Sequence, residues 1–349
     1  MNKERNISLD VFRALVMFLI VLGHSMLHGG VLDKLTFGEP NYFIAYTVYG
    51  FLYVHVNCFV LLSGYFLCEK EFSVKKAVGF WLQMLFWSLL LFLVFCACGS
   101  ATFSVRGLVK AIMPFTQERY WFMTTYLCMY CLVPILNAAI NAMDEKLHRN
   151  ALLSFFVVFI VFQNIVFWRE FSHTNSCSPL FFCFLYLTAA YFKKYPIQRK
   201  VPWFLLYVGL STLTVLSRFV LTWITIPIFG DAMGDTVFWS YNSITVYLGA
   251  LCLFEVFLNL RINSQNIVAK LATHLSPLML GVYLIHEQPE ARIFIWNQVL
   301  KPFNFAHKWY MVFVVLTDSI IVFMLAAGVE KVRLYLMNCF IRRKSQIKK

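Results

Sequence analysis

The chain has 349 residues, of which 60% are hydrophobic, 18% aromatic and only 13% charged. A soluble globular domain carries about a quarter charged residues, so this composition excludes a soluble enzyme. The net charge of +13 does not indicate nucleic acid, because the basic residues are scattered through short loops between apolar blocks, as membrane orientation and anionic headgroups require.

The blocks are about 18 to 25 residues long, the length a helix needs to cross the hydrocarbon core. They do not alternate apolar and polar as barrel strands do. Ten transmembrane helices are therefore expected, at 10–28, 42–67, 76–97, 120–140, 151–168, 177–192, 202–226, 237–259, 270–288 and 309–332. The fold class is all-α, a polytopic membrane bundle, and without a Gly/Ser linker or internal repeat it reads as one domain over 1–349.

Span 1 reads SLDVFRALVMFLIVLGHSMLHGG and is the most informative. Asp10 and Arg13, three apart, can pair on one face. Arg13 and His24 are eleven apart, close to three turns, so they share a stripe and lie about 16 Å apart along the axis. His28 is one turn further. Ionisable groups inside a span are costly and face the bundle interior or a water-filled cavity.

Span 2 carries His55 and Asn57 at mid-depth, then Ser63-Gly64, where glycine permits close backbone approach. Lys75 and Lys76 follow in the next loop. The connection 98–119 mixes Phe103, Val105, Leu108 and Ile112 with Arg106 and Lys110, the pattern of an interfacial helix. Span 4 opens at Tyr120 and Trp121, placed as belt aromatics that also suit a sugar face. Cys128 and Cys131 have C-x-x-C spacing, but no second pair or nearby histidine completes a metal site, and no metal is expected.

Span 7 carries Arg218, span 8 opens with Trp239, Tyr241 and Asn242, and span 9 passes Ser276-Pro277 and ends at His286-Glu287. Counted by depth, His24, Arg218, Asn242, His286 and Glu287 are expected at a similar level. Most of the 30 Lys and Arg fall in segments that face the cytoplasm if both termini do, including Lys3 and Arg5 at the start and a cluster after Lys331. Arg169 falls among the outer ones, and the loop 227–236 has two aspartates and no base. Both termini are expected in the cytoplasm.

Several segments together resemble the acyltransferase-3 family of bacterial membrane O-acyltransferases. They are LDVFRALVMFLIVLGHS, FVLLSGYFL, YWFMTTYLCMYCLVPIL and GVYLIHE, in the family's order along most of the chain. The resemblance implies transfer of an acyl group, usually acetyl and sometimes succinyl, from cytoplasmic acyl-CoA to a hydroxyl of an exported or surface carbohydrate. It places the protein in the bacterial plasma membrane, with the lipid bilayer and the carbohydrate acceptor as partners. It makes His24 the essential histidine and Arg13 its partner, with Asp10 paired to Arg13.

Lys75 and Lys76 stand where family members often have arginines, and a lysine ammonium grips phosphate less specifically than a guanidinium fork. With Arg13 and Ser63 they are the expected donor contacts. Glu287 is expected to orient an imidazole, as a carboxylate does in a triad. Arg218, His286, Trp121 and Asn242 are expected on the acceptor side. The competing expectation is a transporter or flippase for a lipid-linked sugar, since buried Arg and His also fit a substrate path.

Overall fold

The computed structural model describes residues 6–165, 175–230 and 238–347, without the side chains of 163, 165 and 340–347. Lys3, Arg5, Arg169 and the two aspartates of the 227–236 loop lie outside the described residues. The described residues form helices and no strand. In chain order the helices are α1 (Ile7–Leu27), α2 (Val31–Lys34), α3 (Pro40–Leu52), α4 (His55–Leu67), α5 (Val74–Ala97), α6 (Val105–Ile112), α7 (Trp121–Ala142) and α8 (Glu145–Phe156). There follow α9 (Phe162–Ile165), α10 (Pro179–Lys194), α11 (Trp203–Phe229), α12 (Ile244–Asn259), α13 (Ile267–Leu275), α14 (Met279–His286), α15 (Pro289–Ile293) and α16 (Met311–Ile347).

Among the described residues, seven segments are helical, long and apolar enough to cross a membrane, and α12 is a shorter apolar helix. Each of the ten expected segments contains helix, but fewer than ten meet that length and hydropathy. α5 and α11 expose rows of large apolar side chains, among them Leu82, Phe86, Leu90, Leu205, Leu213 and Trp223. Apolar patches of that extent are rare on soluble monomers; in a bilayer they need no cover.

The chain divides into two compact units. The first holds Met1–Lys34, Gln83–Ile112 and Ile262–Lys349; the second holds Leu35–Leu82 and Met113–Arg261. In the first, α1 is the centre and packs on α13, α14 and α16. Asn6 starts α1 by accepting the Leu9 N–H on its side chain, satisfying one of the free N–H groups of a first turn. More than half of the residues of α1 are buried, including Leu9, Phe12, Val16, Val21 and Met26. The expected amphipathic connector is present as α6.

Three expected spans are interrupted. The 42–67 span breaks at Tyr53–Val54, between α3 and α4. The carbonyls freed there are taken by one distant and one local donor, Tyr207 Oη on Phe51 O at 2.7 Å and His55 Nδ1, three residues on, on Leu52 O at 2.7 Å. The 270–288 span bends through a 3₁₀ turn at Ser276–Leu278, because Pro277 supplies no N–H. The 237–259 span begins as the non-helical stretch 238–243, and α12 starts only at Ile244.

In the second unit α4 packs on α10 and α12, and α11 lies along α3 and α12. Gly64 is where α4 meets α10. A Cβ there would lie 2.9 Å from Tyr186 Cα and 3.0 Å from Tyr186 O, backbone atoms that cannot swing aside. Gly64→Ala is expected to cost about 1–3 kcal/mol, read as a lower thermal midpoint of the purified protein. Gly79→Ala, where nothing lies within 4 Å, should leave that midpoint unchanged or raise it slightly.

Candidate active site

The first unit gathers an imidazole–carboxylate cluster. α1 brings His24 and His28, one turn apart, with ring centroids 4.8 Å from one another. α14 brings His286 at its last position and Glu287 immediately after it. α15 then turns the chain back. Gln288 caps it by accepting the Ala291 N–H at 2.7 Å, and Pro289 sits in the first turn, where a missing N–H costs nothing. That reversal returns Arg292 to Glu287, with Nη1 2.8 Å from Oε1.

The hydrogen-bond network assigns the protons. His286 is fully buried, and its Nδ1 lies 2.6 Å from the Val282 carbonyl. A carbonyl only accepts, so His286 Nδ1 carries hydrogen and its Nε2 carries a lone pair. His24 Nδ1 is 3.0 Å from that Nε2 and must be the donor. His24 therefore holds its proton on Nδ1, which leaves Nε2 as the basic atom.

Glu287 Oε2 also lies 3.0 Å from His24 Nδ1 and 3.5 Å from His28 Nε2. No hydrogen bond of good geometry reaches this oxygen among the described residues. The carboxylate oxygen thus lies close to His24 Nδ1, while the N–H points along the His286 line. Exposure grades outward, from 4% for the Glu287 side chain through 14% for His24 to 24% for His28. A buried anion beside a partly open imidazole is the electrostatic setting that stabilises an imidazolium as it forms.

The set His24 Nδ1, His28 Nε2 and Glu287 Oε2 lies within 4.8 Å and has donor types a divalent cation accepts. The His24 atom already carries a proton toward His286, and Arg292 holds the other Glu287 oxygen. A cation on His24 Nδ1 would displace that proton, whereas Glu287 Oε2 is the oxygen that Arg292 does not hold.

At the other end of α1, Asp10 and Arg13 do pair, with Nη1 3.8 Å from Oδ1. Ser276, freed from regular helix by Pro277, sits between them: it accepts from Arg13 Nη1 at 2.9 Å and donates to Asp10 Oδ1 at 2.8 Å. The Arg13 and His24 stripe is real, and each end of it is held by the 267–287 segment.

The remaining expected residues lie in the second unit. Ser63 donates back to Phe59 O at 3.0 Å within α4, while Lys75 and Lys76 are exposed in the first turn of α5. Trp121 opens α7 and stacks on Tyr241, with centroids 6.0 Å apart and planes 14° from parallel. Arg218 is buried, with its guanidinium 3.7 Å from the Tyr46 ring centre and its Nε donating to Tyr42 Oη at 3.2 Å. Asn242 is a structural pin: Nδ2 donates to Phe159 O at 3.1 Å, and Oδ1 accepts from Ser240 Oγ at 2.5 Å.

Two charged partners in this unit were not read from the sequence. Arg292 counts there as one more loop base, and only the Pro289 turn returns it to Glu287. Glu330, in the last span, is 1% exposed and accepts from Gln83 Nε2 and Trp87 Nε1, each at 3.0 Å, and from Arg333 Nε at 2.8 Å. An acid within an apolar run was the available signal.

A family model for the acyltransferase-3 family, described as an acyltransferase domain, matches residues 6–328. No curated protein and no solved structure is matched by the chain. The family match spans α1 through the first half of α16 and so takes in His24, His286 and Glu287. The chain belongs to the acyltransferase-3 family, and its apolar helices make it a membrane acyltransferase.

Proposed function

We propose that this protein moves an acyl group, acetyl or succinyl, from cytoplasmic acyl-CoA to a hydroxyl of an exported or surface carbohydrate, in the bacterial plasma membrane. The observation that carries this reading is the proton arrangement around His24. His286 holds hydrogen on His24 Nδ1 and leaves Nε2 basic, and Glu287 stands ready to balance an imidazolium.

In this reading His24 Nε2 takes the acceptor hydroxyl proton as that oxygen bonds to the thioester carbonyl carbon. The tetrahedral intermediate collapses by breaking its C–S bond, and the same proton passes from His24 to the leaving CoA sulfur. The products are the sugar ester and free CoA thiol. Imidazole suits both transfers because it gains and loses a proton near neutral pH. Arg13, held by Asp10 and Ser276, supplies a fixed cation for the donor's phosphates. In the second unit, Lys75, Lys76 and Ser63 are the proposed donor contacts, and Trp121, Arg218 and Asn242 belong to the acceptor side.

The test is CoA thiol release by the purified protein in lipid nanodiscs. Release should require an oligosaccharide acceptor and yield an acylated sugar by mass spectrometry. Movement of a lipid-linked sugar without any CoA release would sink the proposal in favour of a transporter.

A further inference from the structure

The second unit contains a row of aromatic rings, of which the reading above uses only Trp121. Trp121 stacks on Tyr241, and Tyr241 stacks on Tyr53 with centroids 5.1 Å apart and planes 23° from parallel. Tyr53 meets Trp239 edgewise at 5.5 Å, and Trp239 stacks on Tyr49 at 14°. Trp239 is buried, whereas Trp121, Tyr241, Tyr53 and Tyr49 are only partly covered. Rings of a lipid-facing belt sit at headgroup level; these lie against one another within the unit.

Three stretches of irregular backbone meet at this row. They are the α3–α4 break at Tyr53–Val54, the turn 238–243 before α12, and the π-helical turn Val157–Val161. Non-helical backbone at membrane depth is tolerated only where it is buried in protein or lines a cavity, and π-turns cluster at functional sites. Polar groups tie the three together. Tyr53 Oη donates to Trp239 O at 2.7 Å, Asn57 Nδ2 to Tyr241 O at 2.7 Å, and Asn242 Nδ2 to Phe159 O at 3.1 Å.

The row is fixed from beneath. Trp239 Nε1 donates to Thr214 O at 3.1 Å, and the Arg218 guanidinium lies against Tyr46 and 5.2 Å from the Trp239 ring. One polar atom is left over. Asn57 is fully buried, and its Oδ1 accepts no hydrogen bond among the described residues. A buried acceptor without a donor is uncommon and calls for a ligand, water or function.

We infer that this aromatic shelf, Trp121, Tyr241 and Tyr53 with Tyr49 on Trp239, binds a neutral pyranose residue of the acceptor, with Asn57 Oδ1 taking a sugar hydroxyl. A pyranose ring has an apolar C–H face, which packs on flat aromatic rings, and a rim of hydroxyl donors. The shelf offers ring faces and a neutral acceptor, which is the matching set. Asn57 Oδ1 is an acceptor, which matches a hydroxyl donor rather than a carboxylate or phosphate. The inference rests on the acyltransferase reading for the word acceptor; the binding itself stands separately.

The experiment uses the full chain in lipid nanodiscs free of glycosidic detergent. Binding of maltotetraose and chitotetraose is followed by saturation-transfer NMR, and CoA release is measured in parallel. At least one oligosaccharide should bind wild type and His24→Ala equally, and about five-fold or more weaker to Trp121→Ala and Tyr241→Ala. Trp121→Phe should restore most of the binding, and Trp309→Ala, on an exposed residue of the first unit, should not alter it. Binding that ignores Trp121 and Tyr241, or no binding of either oligosaccharide, overturns the shelf. Shelf-dependent binding without any CoA release leaves the sugar site standing and removes the acyltransfer reading instead.

Discussion

A His24→Ala variant is expected to lose acyl transfer by about 10²–10⁴-fold, the usual contribution of a positioned general base, while still inserting and folding. The His24 side chain is 14% exposed, so the thermal midpoint is measured beside the rate to separate lost chemistry from lost stability. Two milder changes should grade below it. Glu287→Gln keeps the shape beside His24 but removes the charge that balances an imidazolium, so kcat should fall with little change in donor KM. His286→Ala removes the acceptor that fixes hydrogen on His24 Nδ1, so a fraction of His24 should then carry it on Nε2 and be inactive. Because these residues act as a unit, the His24/Glu287 double variant should be no worse than His24→Ala alone. Labelled acyl transfer to an oligosaccharide measures all four. Wild-type rates in His24→Ala would remove the histidine from the chemistry.

Glu330→Ala is expected to destabilise the first unit by about 3–5 kcal/mol, the loss seen when one partner of a buried ion pair is deleted. The carboxylate is the shared acceptor of Gln83, Trp87 and Arg333. Its removal leaves Arg333 as an uncompensated charge against apolar side chains. The site packs against α14: a Cβ on Gly281 would meet Glu330 Cδ at 2.2 Å, so α14 and α16 touch through this glycine. α14 also ends on His286.

The discriminating variant is Glu330→Leu with Arg333→Leu. Replacing both charges with apolar groups is often neutral, so the double variant should recover most of the thermal midpoint that Glu330→Ala loses. Activity should follow the folded fraction in both, because neither residue touches the reacting atoms. An undiminished midpoint in Glu330→Ala would show that the pair contributes nothing to stability.

The first-unit site was largely legible in the sequence for one reason: helical phase is a local property. Eleven residues put Arg13 and His24 on one stripe, and three put Asp10 beside Arg13, without reference to any other span. The His286-Glu287 pair was visible as ionisable groups at the end of an apolar run, but which imidazole meets which depends on the 44° tilt and 5.2 Å separation of two rings on different helices. The common depth expected for Arg218 and Asn242 rested on residue counts. The fold gives Asn242 a backbone-pinning role that counting cannot foresee.

Composition, block length and spacing determined that the chain is helical and built for a membrane, and that Arg13 and His24 share a face. Those features follow from transfer of apolar side chains and from 3.6 residues per turn, which act on each segment alone. Only the tertiary structure decided where the 42–67 span breaks, since the carbonyl freed at Phe51 is satisfied by the distant Tyr207. It also decided the proton on His24, because that depends on which neighbour accepts, and it brought Arg292 back to Glu287. Hydrogen bonds between distant residues are set by packing, and no local pattern in the chain encodes their direction.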